Sequence, residues 1–146
     1  MRNEVAAEGD YIAAVPEQRS ALEEQLSLSS LLSEGGLSLT LEVDGRVAGH
    51  LTARRLSGRH ETHVGEIAIA VHNSARGVGL GRALMETAID WARAVRMSKL
   101  ALGVFPSNQR AINLYRSLGF VDEGTLPRKV ATPGGDRDLM LMGLQL

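Results

Sequence analysis

The run Arg76-Gly77-Val78-Gly79-Leu80-Gly81 stands between an apolar segment that ends at Val71 and a segment with helical periodicity. Glycines at alternate positions let successive backbone N–H groups turn toward one point and leave no side chain to block a close approach. A helix N-terminus directly behind adds N–H groups without intrahelical acceptors and about half a unit of positive charge. That combination suits a phosphate or pyrophosphate, each hydrogen bond to a charged oxygen contributing about 1.5–3 kcal/mol. The competing reading is a glycine-rich connection with no ligand. Spacing speaks against two other phosphate loops. A P-loop needs Gly-Lys followed by Ser or Thr, whereas Gly81 is followed by Arg82-Ala83. A dinucleotide loop needs Gly or Ala three positions after its second glycine, and those positions hold Arg82 or Leu84. The strand expected near 99–105 also lacks the acid that would hold a ribose.

Such a loop needs a strand in front and a helix behind. Val64 to Val71 is rich in β-branched residues and reads as a central strand. From Gly79 to about Met97, Leu80, Leu84, Ala88, Trp91 or Ala92, and Val95 recur at helical spacing. Lys99 to Phe105 reads as a second apolar strand, and Gln109 to Leu118 as a short helix capped by Gly119. Upstream, Leu37 to Val43 and Arg46 to Arg55 flank Asp44-Gly45, a hairpin signal. Pro16 to Ser33 reads as a helix ended by Gly35-Gly36, with a short strand at most before it, at Tyr11 to Val15. Ser57 to Thr62 is a polar loop. Phe120 to Leu126 and Asp138 to Leu146 read as the last strands, joined by a loop containing Thr132-Pro133-Gly134-Gly135. The order predicts an α/β (α+β) fold, a mixed sheet flanked by helices in a single domain over 1–146.

Composition narrows the partners. The chain has 146 residues, 44% hydrophobic and 23% charged, enough for one ordinary core. A net charge of -1 argues against nucleic acid and anionic membranes, and 3% aromatic residues argue against base stacking. Cysteine is absent, which excludes disulfides, thiolate metal sites and a cysteine nucleophile. It also fits a cytoplasmic setting. The first residues read as no signal peptide, and no run approaches the roughly 20 apolar residues of a membrane span. His60 and His63 flank Glu61-Thr62 without metalloprotease spacing, so no metal site is expected. A serine-hydrolase elbow is likewise missing.

The sequence resembles the GNAT superfamily of N-acetyltransferases. Arg76, Gly79 and Gly81 satisfy that family's loop pattern of Gln or Arg, two residues, Gly, one residue, and Gly or Ala. The stretch from Leu102 to Phe120, with Asn108, Tyr115 and Gly119-Phe120, is similar to the family's strand, asparagine, helix, tyrosine and Gly-Phe ending. The resemblance covers about residues 37–146 and implies a mainly antiparallel sheet whose central strands splay apart. It implies acetyl-CoA as acyl donor, with pantetheine along the backbone of Ile69, Ala70 and Val71 as an added strand. The pyrophosphate would sit on the amides of Arg76, Gly77, Val78, Gly79, Leu80, Gly81 and Arg82, and Asn108 would contact the donor from the adjacent strand end. The N-terminal region departs from the family pattern, which usually begins with a strand.

Acetyl transfer to an amine needs a neutral nitrogen near the thioester carbonyl, an oxyanion donor and a proton for the leaving thiolate. A backbone N–H between Ile69 and Val71 would serve the oxyanion, and no covalent enzyme intermediate is required. Tyr115, in its Asn108 context, is the expected proton donor, since a phenol of ordinary pKa about 10 stays protonated at neutral pH. Glu66, at the start of the central strand, is the expected general base. The expected partners are acetyl-CoA and an amine acceptor: a polyamine, amino acid, aminoglycoside, protein N-terminus or lysine. A homodimer is compatible with the family. The alternative function is a non-catalytic acyl-CoA-binding or sensing module.

Overall fold

The computed structural model describes residue 25 and residues 29–146. The expected strand at Tyr11 to Val15 and most of the expected first helix lie outside these residues, although residues 29–33 are helical. Eight regular elements follow. They are β1 (Leu37–Val43), β2 (Arg46–Arg55), β3 (Val64–Val71), α1 (Leu80–Ala94), β4 (Lys99–Val104), α2 (Gln109–Ser117), β5 (Val121–Thr132) and β6 (Gly135–Gln145). They build one sheet in the order β1-β2-β3-β4-β6-β5. Every neighbouring pair is antiparallel except β3 and β4.

Local chemistry accounts for most boundaries. Asp44 and Gly45 both take positive φ, 51° and 73°, as a two-residue hairpin turn between twisted strands requires. The apolar positions of α1 form one stripe, and Leu84, Met85, Ala88, Ile89 and Ala92 are all buried. They meet Leu51, Ala53 and Ile67 from the sheet, with Leu100, Leu102, Met142 and Leu144 continuing the same core. Removing a Leu, Met or Ile side chain from water contributes about 1.5–3 kcal/mol, so this stripe fixes α1 on the sheet. Buried Tyr115 and Ile112 bring α2 into that core.

Two expected boundaries differ. The first helix after the glycine loop stops at Ala94, short of Met97, because Arg96 takes φ 59°. Its N–H donates to Arg93 O at 3.0 Å, and Met97 N–H donates to Ala92 O at 2.9 Å. This is a left-handed cap closed without the usual glycine. Arg96→Gly is therefore expected to stabilise the fold by about 0.5–1 kcal/mol, relief of left-handed strain less the added chain entropy. Thermal melting should rise by a few degrees.

The second difference is the last hairpin. The segment expected to loop between Leu126 and Asp138 is strand, apart from a tight turn at Pro133-Gly134. Its residues are mostly exposed, so no apolar alternation announces it. The ladder is kinked between Leu126 and Val130, where Arg128 takes φ 52°. Arg128 N–H donates to Asp138 Oδ1 at 2.8 Å, and its guanidinium meets Asp136 at 2.7 Å. Backbone pairing and polar contacts, rather than burial, hold this arm.

Candidate functional site

The parallel pair β3–β4 opens partway along. Its register runs from Val64↔Lys99 to Ile67↔Leu102 and stops there. Beyond that point β3 stays with β2 up to Gly49↔Val71, and β4 stays with β6 up to Val104↔Met140. The central strands part, and the β4-facing backbone edge of residues 68–71 has no strand partner in the sheet. An extended chain placed there would find the edge that strand addition uses.

A cleft of about 270 Å³ occupies this fork. Ile69, Ala70 and Val71 form one wall, Arg76, Gly77, Gly79, Leu80, Gly81 and Arg82 the mouth, and Asn108, Arg110, Ala111, Leu114 and Tyr115 the other wall. Gly77 and Gly79 both take φ 86°, a conformation that side-chain-bearing residues rarely adopt. Gly79 is the N-cap of α1 and offers no side-chain acceptor, so the amides of Leu80, Gly81 and Arg82 point outward without intrahelical partners. No acidic residue stands in that first turn to repel an anion. At Gly81 an added Cβ would make only ordinary contacts, with Leu114 at 3.4 Å and Val71 at 3.8 Å, so a small side chain would fit there.

The loop arginines differ in role. Arg76 Nε donates to Val71 O at 2.9 Å, and its Nη1 donates to Asn73 Oδ1 at 3.3 Å, tying the loop back to the strand end. Arg82 donates to Ser117 Oγ at 2.6 Å and faces Glu86 at 3.4 Å, which joins α1 to α2. Arg110 reaches across from α2, its guanidinium resting where a Gly77 Cβ would lie. Asn108 is 7% exposed and caps α2, its Oδ1 accepting from Ala111 N–H at 3.1 Å.

Tyr115 is also 7% exposed, and the surface it retains lines the cleft. Its ring packs against Phe120 at 6.0 Å between centroids, tilted by 54°. Burial pushes the phenol well above its ordinary ionisation range. The folded pKa thus exceeds the unfolded value of about 10. Its contribution to stability is complete below that pH and is lost as pH rises above it, at up to about 1.4 kcal/mol per pH unit. Denaturant titrations from pH 9 to 11 should show this slope in the wild type, and Tyr115→Phe should reduce it.

Two sequence-expected residues stand apart. Val78 is 73% exposed and does not line the cleft. Glu66 is exposed at the paired end of β3, opposite Arg54 in the register, and is not among the lining residues. It alternates with Gly65 and Ile67, which pack toward α1 and β4, and so faces the other side of the sheet. Sequence reading missed Arg110, Ala111 and Leu114. Their signal was the helical repeat that puts 108, 111 and 115 on one face, with 110 and 114 beside them.

Among the described residues, no helix is long and apolar enough to cross a membrane. The chain resembles an L-amino acid N-acyltransferase, MnaT, of Escherichia coli K12, with 37% identity over 84 residues, 58% of this chain and 49% of that protein. It spans about half the length of the curated relatives it matches. An acetyltransferase of the GNAT family from Streptococcus pneumoniae superposes with a TM-score of 0.87 at 29% identity, covering 99% of this chain and 89% of that one. The Salmonella typhimurium protein yncA, solved with its cofactor acetyl-CoA, superposes with a TM-score of 0.90 at 26% identity, covering 99% and 84%. Residues 5–120 match the acetyltransferase (GNAT) family as a whole, so the forked sheet and its glycine mouth have a family setting: the chain belongs to the GNAT acetyltransferases.

Proposed function

We propose that this single domain transfers an acetyl group from acetyl-CoA to a primary amine by direct attack in a ternary complex. The observation that carries the reading is the fork itself: β3 and β4 part at Ile67↔Leu102, and the cleft between them ends on the glycine-bounded start of α1. The residues present fit the donor. Outward amides at Leu80, Gly81 and Arg82 suit a pyrophosphate, while the edge of Ile69, Ala70 and Val71, which lacks a strand partner and has only the Val71 carbonyl taken by Arg76, suits an extended amide-bearing arm. The amides of Gly77 and Val78 complete the cradle, although the Val78 side chain stays in solvent; the Arg76 amide expected beside them donates instead to Asn73 O at 3.2 Å.

Acetyl-CoA supplies an activated thioester; the chain's own groups do the rest. A β3 amide between Ile69 and Val71 donates to the oxygen that gains charge as the amine adds to the carbonyl carbon. Tyr115 donates a hydrogen bond to the sulfur as the carbon–sulfur bond breaks. The nitrogen loses a proton, and Glu66 is the proposed acceptor for it. Glu66 stands three residues before Ile69, roughly 10 Å along the strand, so the proton travels by way of water. Glu66→Gln should shift the acidic limb of the pH–rate profile of kcat/KM; an unchanged profile assigns the base elsewhere.

Arg110 adds a charge that the backbone cradle lacks. Arg110→Ala is expected to weaken CoA binding about tenfold, the scale of one charge-assisted hydrogen bond. The salt dependence of binding should flatten with it. An L-amino acid heads the acceptor panel, because the Escherichia coli relative is named for that class. Polyamines, aminoglycosides, a peptide N-terminus and lysine complete it. Calorimetry with CoA tests the donor site, and release of free CoA thiol across the panel tests turnover. Binding without thiol release would favour a sensing module. The reading places the enzyme in the cytoplasm and includes pairing as a homodimer, which sedimentation measures.

A further inference from the structure

The β5–β6 hairpin runs past the paired part of β4, and one of its side chains returns to the turn beside the cleft. Arg137 shares the sheet face of Leu139, the face against which Gly103 packs and on which alternation also places Phe105. Its guanidinium stacks over the Phe105 ring, 4.0 Å from the centroid. Its Nη2 donates to Ser107 Oγ at 2.7 Å. Phe105 is 2% exposed, which makes the ring a fixed platform. Asn108 N–H donates to Phe105 O at 2.9 Å, closing the turn over residues 105–108. Asn108 then caps α2. Arg137 does not line the cleft, yet it holds Phe105 and Ser107, the first and third residues of the turn that presents Asn108 to it.

We propose that Arg137 is a positioning residue: it clamps the turn over residues 105–108 and so orders the start of α2, where Asn108, Arg110 and Ala111 line the cleft. Stacking fixes the plane of the guanidinium, and the Ser107 bond fixes its direction, a combination that a lysine cannot reproduce. A turn that is already ordered loses less freedom when a ligand binds against it. The effect on the turn is a property of the chain alone; the effect on donor binding rests on the acetyl-CoA reading above.

Two measurements on the full chain separate these levels. Amide hydrogen exchange of the ligand-free protein should show residues 109–112 exchanging about tenfold faster in Arg137→Ala, with the α1 amides of residues 88–92 unchanged. Arg137→Lys should restore only part of the protection. In steady state, KM for acetyl-CoA should rise about tenfold in Arg137→Ala, equivalent to about 1.4 kcal/mol, with KM for the acceptor unmoved. Ser107→Ala should give part of the same rise, and the double variant should be no worse than Arg137→Ala, as for two halves of one contact. Unchanged exchange at the start of α2 would overturn the clamp, as would an equal rise throughout the chain. A rise in acceptor KM with donor KM constant would make Arg137 an acceptor contact instead. Should the wild type fail to bind CoA, the donor reading falls, and the exchange result still decides the clamp.

Discussion

Tyr115→Phe is expected to lower kcat by about 10²-fold or more, with CoA affinity within about twofold of wild type. A hydrogen-bond donor aimed at developing charge contributes roughly 10²-fold or more, and the variant removes the hydroxyl while keeping the ring. The packing against Phe120 at 6.0 Å survives, and so does the buried position that α2 occupies in the core. Burial decides how the phenol acts. Its ionisation is pushed well above the ordinary range, whereas a thiol ionises near 8.5. Such a phenol does not release its proton ahead of bond cleavage. It stabilises charge growing on sulfur as a hydrogen-bond donor while the carbon–sulfur bond breaks, and the thiolate, whose acid is much the stronger, takes its proton from water on release. Single-turnover acetylation at saturating donor measures this step. A Tyr115→Phe rate equal to wild type would remove the hydroxyl from the chemistry.

Gly79→Val is expected to weaken CoA binding by about 100-fold, with the remaining core folded. Gly79 sits at φ 86° as the N-cap of α1, a conformation that is strained for a β-branched side chain. The loop relaxes by turning its amides away from their common point. Losing two hydrogen bonds to a charged group, each about 1.5–3 kcal/mol, accounts for at least that factor. An added Cβ meets nothing within 4 Å at Gly79, so the effect reports backbone conformation rather than a clash. Calorimetry gives the affinity, and circular dichroism checks that the fold persists. Unaltered binding would show that the loop amides do not hold the donor.

Among the described residues, the strands before the loop were legible. β1 and β2 begin and end where alternation and the Asp44-Gly45 turn place them, and β3 where its β-branched residues do, because turn chemistry and strand propensity both act locally. The end of α1 was hidden, since Arg96 supplies by strain a left-handed cap usually signalled by glycine. The outer half of the β5–β6 hairpin was hidden because exposed strands held by backbone pairing carry no apolar period. The fork between β3 and β4 is illegible for a different reason. Each strand keeps a partner on its other side, so its residue pattern does not change where the pair separates; family resemblance alone implied it.

For the candidate site, the glycine run does stand at the mouth of the cleft where α1 begins, and Asn108 and Tyr115 line the same cleft; that the loop holds an anion is the proposal. Arg76 is placed at the mouth, but its side chain binds the protein's own strand end. Arg110 escaped notice because an exposed arginine on a short helix looks like any solvated charge until the loop opposite it is in place. Glu66 lies outside the cleft, on the far face of β3. Its role depends on where the acceptor enters, and strand periodicity does not encode that.

The most direct test is a calorimetric titration of the wild-type chain with CoA. Binding at one site per chain, weakened about 100-fold by Gly79→Val, is the expected result. No heat of binding from the wild type at millimolar CoA would contradict the assignment of the forked cleft as the donor site.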